Sequence, residues 1–183
     1  LENTDVLIEN FGPGAVERLG FGYEACKEIN PGLVYCSLKG FMPGPYEHRP
    51  SLDNLVQMMG GLAYMTGPTG QPLRAGASVT DILGATYGAL GVVAALRERD
   101  QTGLGQNVRA SLFEATSFLV GQHMSTAAIT DAPVPPMPEG ENPWTVYELF
   151  TTADGDQVCI GIINDKHWAA LCREMKLGLL AAD

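Results

Sequence analysis

The chain has 183 residues, of which 45% are apolar, and a formal net charge of −10 at pH 7. That apolar share is enough for a buried core, so the composition excludes a disordered chain. The balance of 11 basic against 21 acidic residues argues against nucleic acid as a partner, although a few placed cations can still bind a small phosphorylated cofactor. The longest apolar run is interrupted by glycines and falls short of a membrane span.

Four widely spaced cysteines predict neither a disulfide framework nor a metal site. Reduced cysteines of this kind are typical of a cytoplasmic protein. The chain begins with Leu1 rather than Met and ends without an evident final element, so we expect a section of a longer protein.

The first forty residues predict a strand, two helices and a second strand. Short apolar runs at 5–10 and 33–41 are typical of parallel strands. Between them, residues 11–20 form a Gly/Pro turn that opens a short helix ending at Gly20, and residues 23–30 predict a second helix. This order of elements indicates a right-handed crossover in an α/β layer.

The middle of the chain is predicted to be mainly helical. Residues 52–67 form a helical pattern that two adjacent glycines interrupt, and residues 82–99 predict a long helix. Gly84 and Gly88 stand four apart on one face of that helix, where missing side chains let another backbone come close. We therefore expect this face to pack against a neighbouring element.

A strand and a further helix are predicted after the long helix. Within residues 101–113, a turn precedes a strand in which Val108, Ala110 and Leu112 alternate with polar residues. Residues 114–129 then predict a helix.

A segment rich in proline and acids, 131–145, is predicted to be a linker. After it, residues 144–163 predict a β-hairpin. Residues 164–175 predict a helix capped by Asn164 or Asp165.

Two glycine patterns are similar to phosphate-binding motifs. Gly20, Gly22 and Ala25 match G-x-G-x-x-A, but they follow a helix rather than a strand. Gly12 and Gly14 follow a strand and open a helix, so this turn is either an anion site or an ordinary proline turn. The chain contains no G-x-x-x-x-G-K-[ST] motif, and ATP-driven chemistry therefore has no support.

The remaining ionisable residues form no catalytic motif on their own. His48, His123 and His167 are scattered, and we interpret them as surface or core residues. Arg18 and Lys39 lie at element ends near glycine turns, where solvated charges are common.

Asp81 stands alone between small residues and the long apolar helix. Asp is a preferred helix N-cap, and the local pattern alone favours that role. A carboxylate is also a covalent nucleophile, and with an unperturbed pKa of ~3.9 it is ionised at pH 7 without a partner base. The local sequence leaves both roles open.

Several segments, in order along nearly the whole chain, resemble the class III CoA-transferases, the family that contains formyl-CoA transferase. The segments are DVLIENFGPGAVERLG, INPGLVYCSLKGF, QMMGGLAYMTG, AGASVTDILGATYGALGVVAALRERDQTGLGQNVRASLFEA and TADGDQVCIGIINDKHW. The resemblance implies an α/β fold: a Rossmann-like large domain with a parallel sheet over 1–130, a linker over 131–145 and the start of a small α+β domain over 146–183. It also implies that the whole protein is a homodimer of interlocked chains.

The resemblance implies that Asp81 is the nucleophile that attacks an acyl-CoA thioester, with a mixed anhydride and an aspartyl-CoA thioester as intermediates. Coenzyme A and a carboxylic acid are then the expected small-molecule partners, with no metal, nucleic acid or membrane. The implied CoA contacts are Asn10, Phe11, Ala15, Arg18, Lys39, Gly40 and Phe41. The family's glycine-rich loop over the acyl site is matched here by Gly140 alone.

Two alternative functions stay open. The 2-methylacyl-CoA racemases of the same family pair the equivalent Asp with a His, and this chain has Leu52 at that position. A racemase must move a proton on and off the α-carbon, which usually takes two bases. A non-catalytic acyl-CoA-binding remnant is the other alternative, and the intact Asp81 argues against it.

Overall fold

The computed structural model describes residues 1–140, 144 and 146–178. The chain divides into two compact units, Leu1–Glu139 and Gly140–Asp183. A parallel sheet of order β1-β2-β3 forms the first unit's centre, and its strands are β1 (Val6–Glu9), β2 (Val34–Lys39) and β3 (Asn107–Ser111). This parallel pairing confirms the predicted α/β class.

Helices connect the strands of the first unit and follow the last one. Between β1 and β2 lie α1 (Ala15–Arg18) and α2 (Tyr23–Ile29). Between β2 and β3 lie α3 (Asp53–Met59), α4 (Leu62–Thr66) and α5 (Val79–Thr102). After β3 come α6 (Leu112–Leu119), α7 (Gly121–Thr130) and a 3₁₀ turn, Met137–Glu139. The predicted interruption at Gly60 and Gly61 is confirmed, since α3 and α4 are separated there.

The central strand β2 contributes to a core on each face of the sheet, because successive side chains of a strand point to opposite sides. One core contains Val34 and Cys36 of β2 with Val92 and Ala95 of α5. The other core contains Leu33, Tyr35 and Cys26 of α2. Helices therefore cover the sheet on both sides, as in other parallel sheets.

Helix α5 packs closely on the sheet through its glycines. A Cβ at Gly88 would lie 2.6 Å from Leu38 Cδ2 and 3.2 Å from Cys36 Sγ. Gly84 is also buried, so the predicted packing role of this face is confirmed. The sequence predicts an apolar run too short for a membrane span, but by length and composition alone the 24-residue helix α5 would suffice to cross a membrane. In this structure, 28% of an apolar 18-residue stretch of the helix is buried.

The structure corrects three local predictions. Asp81 is not the cap of the long helix, because α5 begins two residues earlier and its N-cap position is Ser78. Leu112 does not continue β3; it begins α6, where the side chain of Ser111 accepts a hydrogen bond from the Glu114 N–H at 3.3 Å. The helix predicted over 114–129 is divided at Val120 into α6 and α7.

The second unit contains an antiparallel hairpin and one helix among its described residues. The hairpin pairs β4 (Val146–Thr151) with β5 (Gln157–Ile162), and α8 (Asp165–Glu174) follows. Asn164 caps α8, since its side chain accepts a hydrogen bond from the His167 N–H at 3.0 Å. Residues 141–143 and 145 of the predicted linker lie outside the described residues, and the predicted domain boundaries stay predictions.

We expect Gly105→Ala to destabilise the protein. A Cβ at this position would overlap the carbonyl oxygen of Leu33 and approach the backbone of Gly32 to 2.7 Å. These are backbone atoms leading into β2, so they cannot move aside as a side chain does. The expected loss is about 1–3 kcal/mol in the free energy of unfolding, measured by urea titration of the full-length protein.

Gly121→Ala is the matched control, because a Cβ at Gly121 meets no atom within 4 Å and the residue begins a helix. Its stability should be unchanged or slightly higher. Equal stabilities for the two variants would contradict the close approach at Gly105.

Candidate active site

A cleft of about 500 Å³ lies at the carboxyl ends of the parallel strands. In open α/β sheets this is the edge at which ligands bind. Residues that follow β1 and β2 form one wall, and the first turn of α5 forms another. The lining residues are Asn10, Phe11, Gly12, Pro13, Leu38, Lys39, Gly40, Glu47, Arg49, Pro50, Ser51, Leu52, Asp53, Asp81, Ala85 and Leu112.

Asp81 is the third residue of α5 and is exposed to this cleft. The surrounding protein still removes part of its hydration. Burial and, secondarily, the negative charge of Asp53 raise the pKa of Asp81 above its ordinary value. The cleft therefore holds an accessible carboxylate that is more basic than a free aspartate, which suits nucleophilic attack.

Asp53 is a buried carboxylate that caps α5 from another helix. Its side-chain Oδ1 accepts hydrogen bonds from the Thr80 N–H at 2.9 Å and from Thr80 Oγ1 at 2.6 Å. Burial would raise the pKa of Asp53, but the hydrogen bonds from Thr80 and Gln57 outweigh this effect and lower that pKa. Asp53 thus stays ionised and occupies the place of the cap that Ser78 does not supply.

Gln57 extends this network to the loop before α5. It is fully buried, and its Nε2 donates to Asp53 Oδ2 at 2.6 Å. Its Oε1 accepts from the Ala75 N–H at 2.8 Å, which fixes the orientation of the amide. One turn of α3 therefore holds both the first turn of α5 and the loop that leads into it.

Glu9 organises the opposite wall of the cleft. It is buried, and its carboxylate accepts hydrogen bonds from Ser37 Oγ at 2.5 Å and from the Phe11 N–H at 3.0 Å. Lys39 Nζ lies 2.7 Å from Glu9 Oε2 and 2.8 Å from the Phe11 carbonyl oxygen. The charge of Lys39 is consequently paired, and two of its three N–H donors are engaged within the protein.

The structure brings five of the predicted site residues into one cleft. Asn10, Phe11, Lys39 and Gly40 line it together with Asp81. Phe41 lines a neighbouring cleft of about 480 Å³, and Lys39 lies between the two. Neither lining set includes Ala15 or Arg18, and Gly140 belongs to the second unit. The predicted CoA contacts stay predictions.

Gly40 and Phe41 also have packing roles. A Cβ at Gly40 would overlap the side chain of Ser51, so only glycine fits at this close approach. The Phe41 ring is buried and packs against Tyr46 and Phe113, with centroids 5.7 and 5.6 Å away.

The two glycine patterns differ in their surroundings. Gly14 has a φ of 70° and precedes a helix of four residues, so the turn after β1 supports a single helical turn. Gly22 is the N-cap position of α2 and lines the neighbouring cleft. Within the described residues, no group of three or more His, Cys, Asp or Glu side chains forms a metal site.

Sequence reasoning missed Glu9, Asp53, Gln57 and Arg49. An acid at the end of the apolar run LIE marks Glu9 as unusual, and the spacing of Asp53 and Gln57 places them on one face of a helix. Arg49 lines the cleft and stacks over the Tyr46 ring at 4.5 Å from its centroid. Nothing in the local sequence indicates that it reaches the same cleft as Asp81.

A family model described as CoA-transferase family III matches residues 1–183. The acetyl-CoA:oxalate CoA-transferase of Acetobacter aceti is 38% identical over 189 residues, which cover 100% of this chain and 48% of that relative. The succinate–glutarate CoA-transferase of Agrobacterium fabrum is 32% identical, with 100% and 46% coverage. The chain therefore spans about half the length of these curated relatives.

A crystal structure of a CaiB/BaiF family protein from Brucella suis has the same fold. It superposes with a TM-score of 0.84 at 32% identity, covering 100% of this chain and 48% of that one. The cleft at the strand ends therefore occurs on a fold that this family shares.

We expect Asp81→Asn to stabilise the protein at neutral pH. Because the folded state raises the pKa of Asp81, its ionised form costs stability at pH 7, and this cost disappears as the pH falls below the raised pKa. The variant's advantage should therefore be largest at pH 7 and smaller at pH 4. Urea unfolding of the full-length protein at both values measures it.

Asp165→Asn is the control for this comparison. Asp165 is an exposed acid in the first turn of α8, where the helix N-terminus favours a negative charge. Its removal should lower stability at pH 7. A loss of stability in Asp81→Asn as well would show that the cleft does not disfavour the Asp81 charge.

Proposed function

The chain belongs to CoA-transferase family III, and from this membership we propose that the whole protein transfers coenzyme A between an acyl-CoA thioester and a free carboxylic acid, with Asp81 as the nucleophile. The observation that carries the proposal is the shared cleft: Asp81 and four implied CoA contacts line the same cavity at the carboxyl edge of the sheet. The implied contacts are Asn10, Phe11, Lys39 and Gly40.

The first half of the proposed reaction moves the acyl group onto the protein. A carboxylate oxygen of Asp81 attacks the thioester carbonyl carbon, the C–S bond breaks and CoA leaves as a thiolate. The product is a mixed anhydride between Asp81 and the acyl group. The thiolate then attacks the Asp81 carbonyl carbon, which releases the first acid as a carboxylate and leaves an aspartyl-CoA thioester.

The second half reverses these steps with the acceptor. Its carboxylate attacks the aspartyl-CoA thioester, giving a new anhydride and free thiolate. Attack of the thiolate on the acceptor's acyl carbon forms the new acyl-CoA and restores the Asp81 carboxylate. One thioester replaces another, so the exchange needs no ATP. Binding of the distant nucleotide part of CoA can offset the high energy of the anhydride.

The accessible, relatively basic Asp81 carboxylate supports this role because it needs no partner base. Lys39 and Arg49 are the positive side chains among the described lining residues. The charge of Lys39 is paired with Glu9, so Arg49 is the side chain whose charge suits an anionic substrate. The two named relatives act on oxalate and on succinate and glutarate, so we propose a short dicarboxylic acid as one substrate. We also propose that the whole protein is a homodimer, on the family resemblance, and that it is cytoplasmic, on its four widely spaced cysteines.

A covalent adduct on Asp81 tests the proposal. Trypsin cleavage after Arg74 and Arg97 releases residues 75–97, in which Asp81 is the one side-chain carboxylate. After incubation of the full-length protein with succinyl-, acetyl- or formyl-CoA, hydroxylamine should convert this peptide to a hydroxamate that mass spectrometry detects. An unchanged peptide with every donor would favour a binding protein over a transferase.

Asp81→Asn supplies the matching kinetic test. Loss of a covalent nucleophile should lower CoA exchange by about 10³-fold or more. Full exchange in this variant would remove Asp81 from the mechanism. Asp100→Asn, at the far end of the same helix, serves as the control and should keep its activity.

The racemase alternative is tested with a chiral 2-methylacyl-CoA in D₂O. Leu52, at the position of the racemase histidine, lines the cleft and is 75% exposed, but it has no group that can carry a proton. We expect no deuterium at the α-carbon, measured by mass spectrometry of the recovered thioester. Substantial incorporation would support racemisation instead of transfer.

A further inference from the structure

We propose that Asp53 is a positioning residue for the nucleophile: its buried carboxylate fixes the first turn of α5 and places a negative charge beside Asp81. This inference rests on the proposed role of Asp81. Asp53 lines the same cleft but is only 6% exposed, so it is poorly placed to attack a substrate itself.

The positional part of the role follows from the hydrogen bonds at the start of α5. Ser78 occupies the N-cap position without a side-chain cap bond. Instead, Asp53 accepts hydrogen bonds from the Thr80 N–H and from Thr80 Oγ1. Thr80 directly precedes the proposed nucleophile, so a change at Asp53 shifts the backbone that carries Asp81.

The electrostatic part follows from the helix terminus. An α-helix N-terminus is equivalent to about half a positive charge, which stabilises a nearby carboxylate and weakens it as a nucleophile. A second anion at the same terminus opposes that effect. Asp53 is buried and ionised there, so it keeps Asp81 more basic than the helix alone would allow.

Other charges around Asp81 contribute to the same balance. Glu47 on the loop after β2 adds a negative charge to the cleft. Lys39 is paired with Glu9, and Arg49 stacks on Tyr46. Arg74, on the loop before α5, places its Nη2 atom 3.9 Å from Asp53 Oδ2. Its side chain is half exposed, so solvent screens the attraction between the two charges.

Because of Gln57, an amide at position 53 cannot replace the carboxylate of Asp53. Its Oε1 accepts from the Ala75 N–H, so its Nε2 must point at Asp53 Oδ2. An asparagine at position 53 keeps one acceptor for Thr80 but turns an NH₂ group toward the Gln57 NH₂ group. Asp53→Asn therefore removes the charge and also weakens the network, while Thr80→Val weakens the network and keeps the charge.

The experiment compares Asp53→Asn, Asp53→Glu and Thr80→Val in the full-length protein. CoA exchange is measured as kcat, KM for acyl-CoA and the pH profile of kcat/KM. In Asp53→Asn we expect kcat to fall about 10- to 100-fold, since small misplacements of a reacting group can cost ~10²-fold. KM should stay within about twofold, and the acid limb should move to lower pH because Asp81 loses a neighbouring negative charge.

The two charge-retaining variants separate positioning from simple destabilisation. Thr80→Val should lose thermal stability while its acid limb stays at the wild-type pH. Asp53→Glu should lower kcat less than Asp53→Asn does and should also keep the wild-type acid limb. If Asp53→Asn does not fold, Asp53→Glu decides. A wild-type kcat in Asp53→Glu overturns the proposal, whereas a reduced kcat together with an acid limb at the wild-type pH supports it.

A purely structural role gives a different pattern and would overturn the proposal. In that case kcat falls in parallel with folded protein in both Asp53→Asn and Thr80→Val, and the acid limb does not move. The hydroxamate on peptide 75–97 separates this failure from failure of the proposed function. If the wild-type protein forms the adduct and Asp53→Asn forms it at the wild-type rate, Asp81 stays the nucleophile and only the role of Asp53 is wrong.

Discussion

The hydrogen bonds from the start of α5 to the buried carboxylate of Asp53 are the interaction on which the cleft depends. Helix α5 brings no side-chain cap of its own, and its glycines draw it tightly onto β2 and β3. The helix axis is thus set by packing against the sheet, whereas the first turn is set by α3. Because Asp81 belongs to that turn, the cap determines where the proposed nucleophile lies at the strand ends.

A buried carboxylate also organises the opposite wall of the cleft. Glu9 ends β1 inside the protein and is stabilised by Ser37, Lys39 and the Phe11 N–H. A buried carboxylate is costly unless hydrogen bonds and an opposite charge compensate it. Both walls of the cleft are therefore shaped by polar networks that a purely apolar core would not need, which is common where function sets the structure.

The local sequence predicts most helices and strands because residues only a few positions apart determine them. Alternating apolar residues form strands, glycines interrupt helices, and capping residues begin them. The start of α6 can also be predicted from neighbouring residues, since Ser111 and Glu114 form the S-x-x-E pattern of a capping box. The cap of α5 cannot be predicted from neighbouring residues. Asp53 and Thr80 are 27 residues apart, and only the packing of α3 beside α5 brings them together. The local assignment of Asp81 as a cap was wrong because a distant residue fills that role.

The same contacts limit where an oxyanion can be stabilised. The Thr80 N–H donates to Asp53, and the N–H groups of Val79 and Ile82 donate to backbone carbonyls. Three of the four N–H groups from Val79 to Ile82 are therefore engaged within the protein and are not available to an oxyanion. On the strand-end wall, Lys39 has one N–H beyond its bonds to Glu9 and Phe11, which is a further donor for the tetrahedral intermediate of the proposed reaction. In this arrangement the α5 side of the cleft positions the carboxylate of the proposed nucleophile, and the sheet side offers the remaining N–H donor of a lysine whose charge is paired with Glu9.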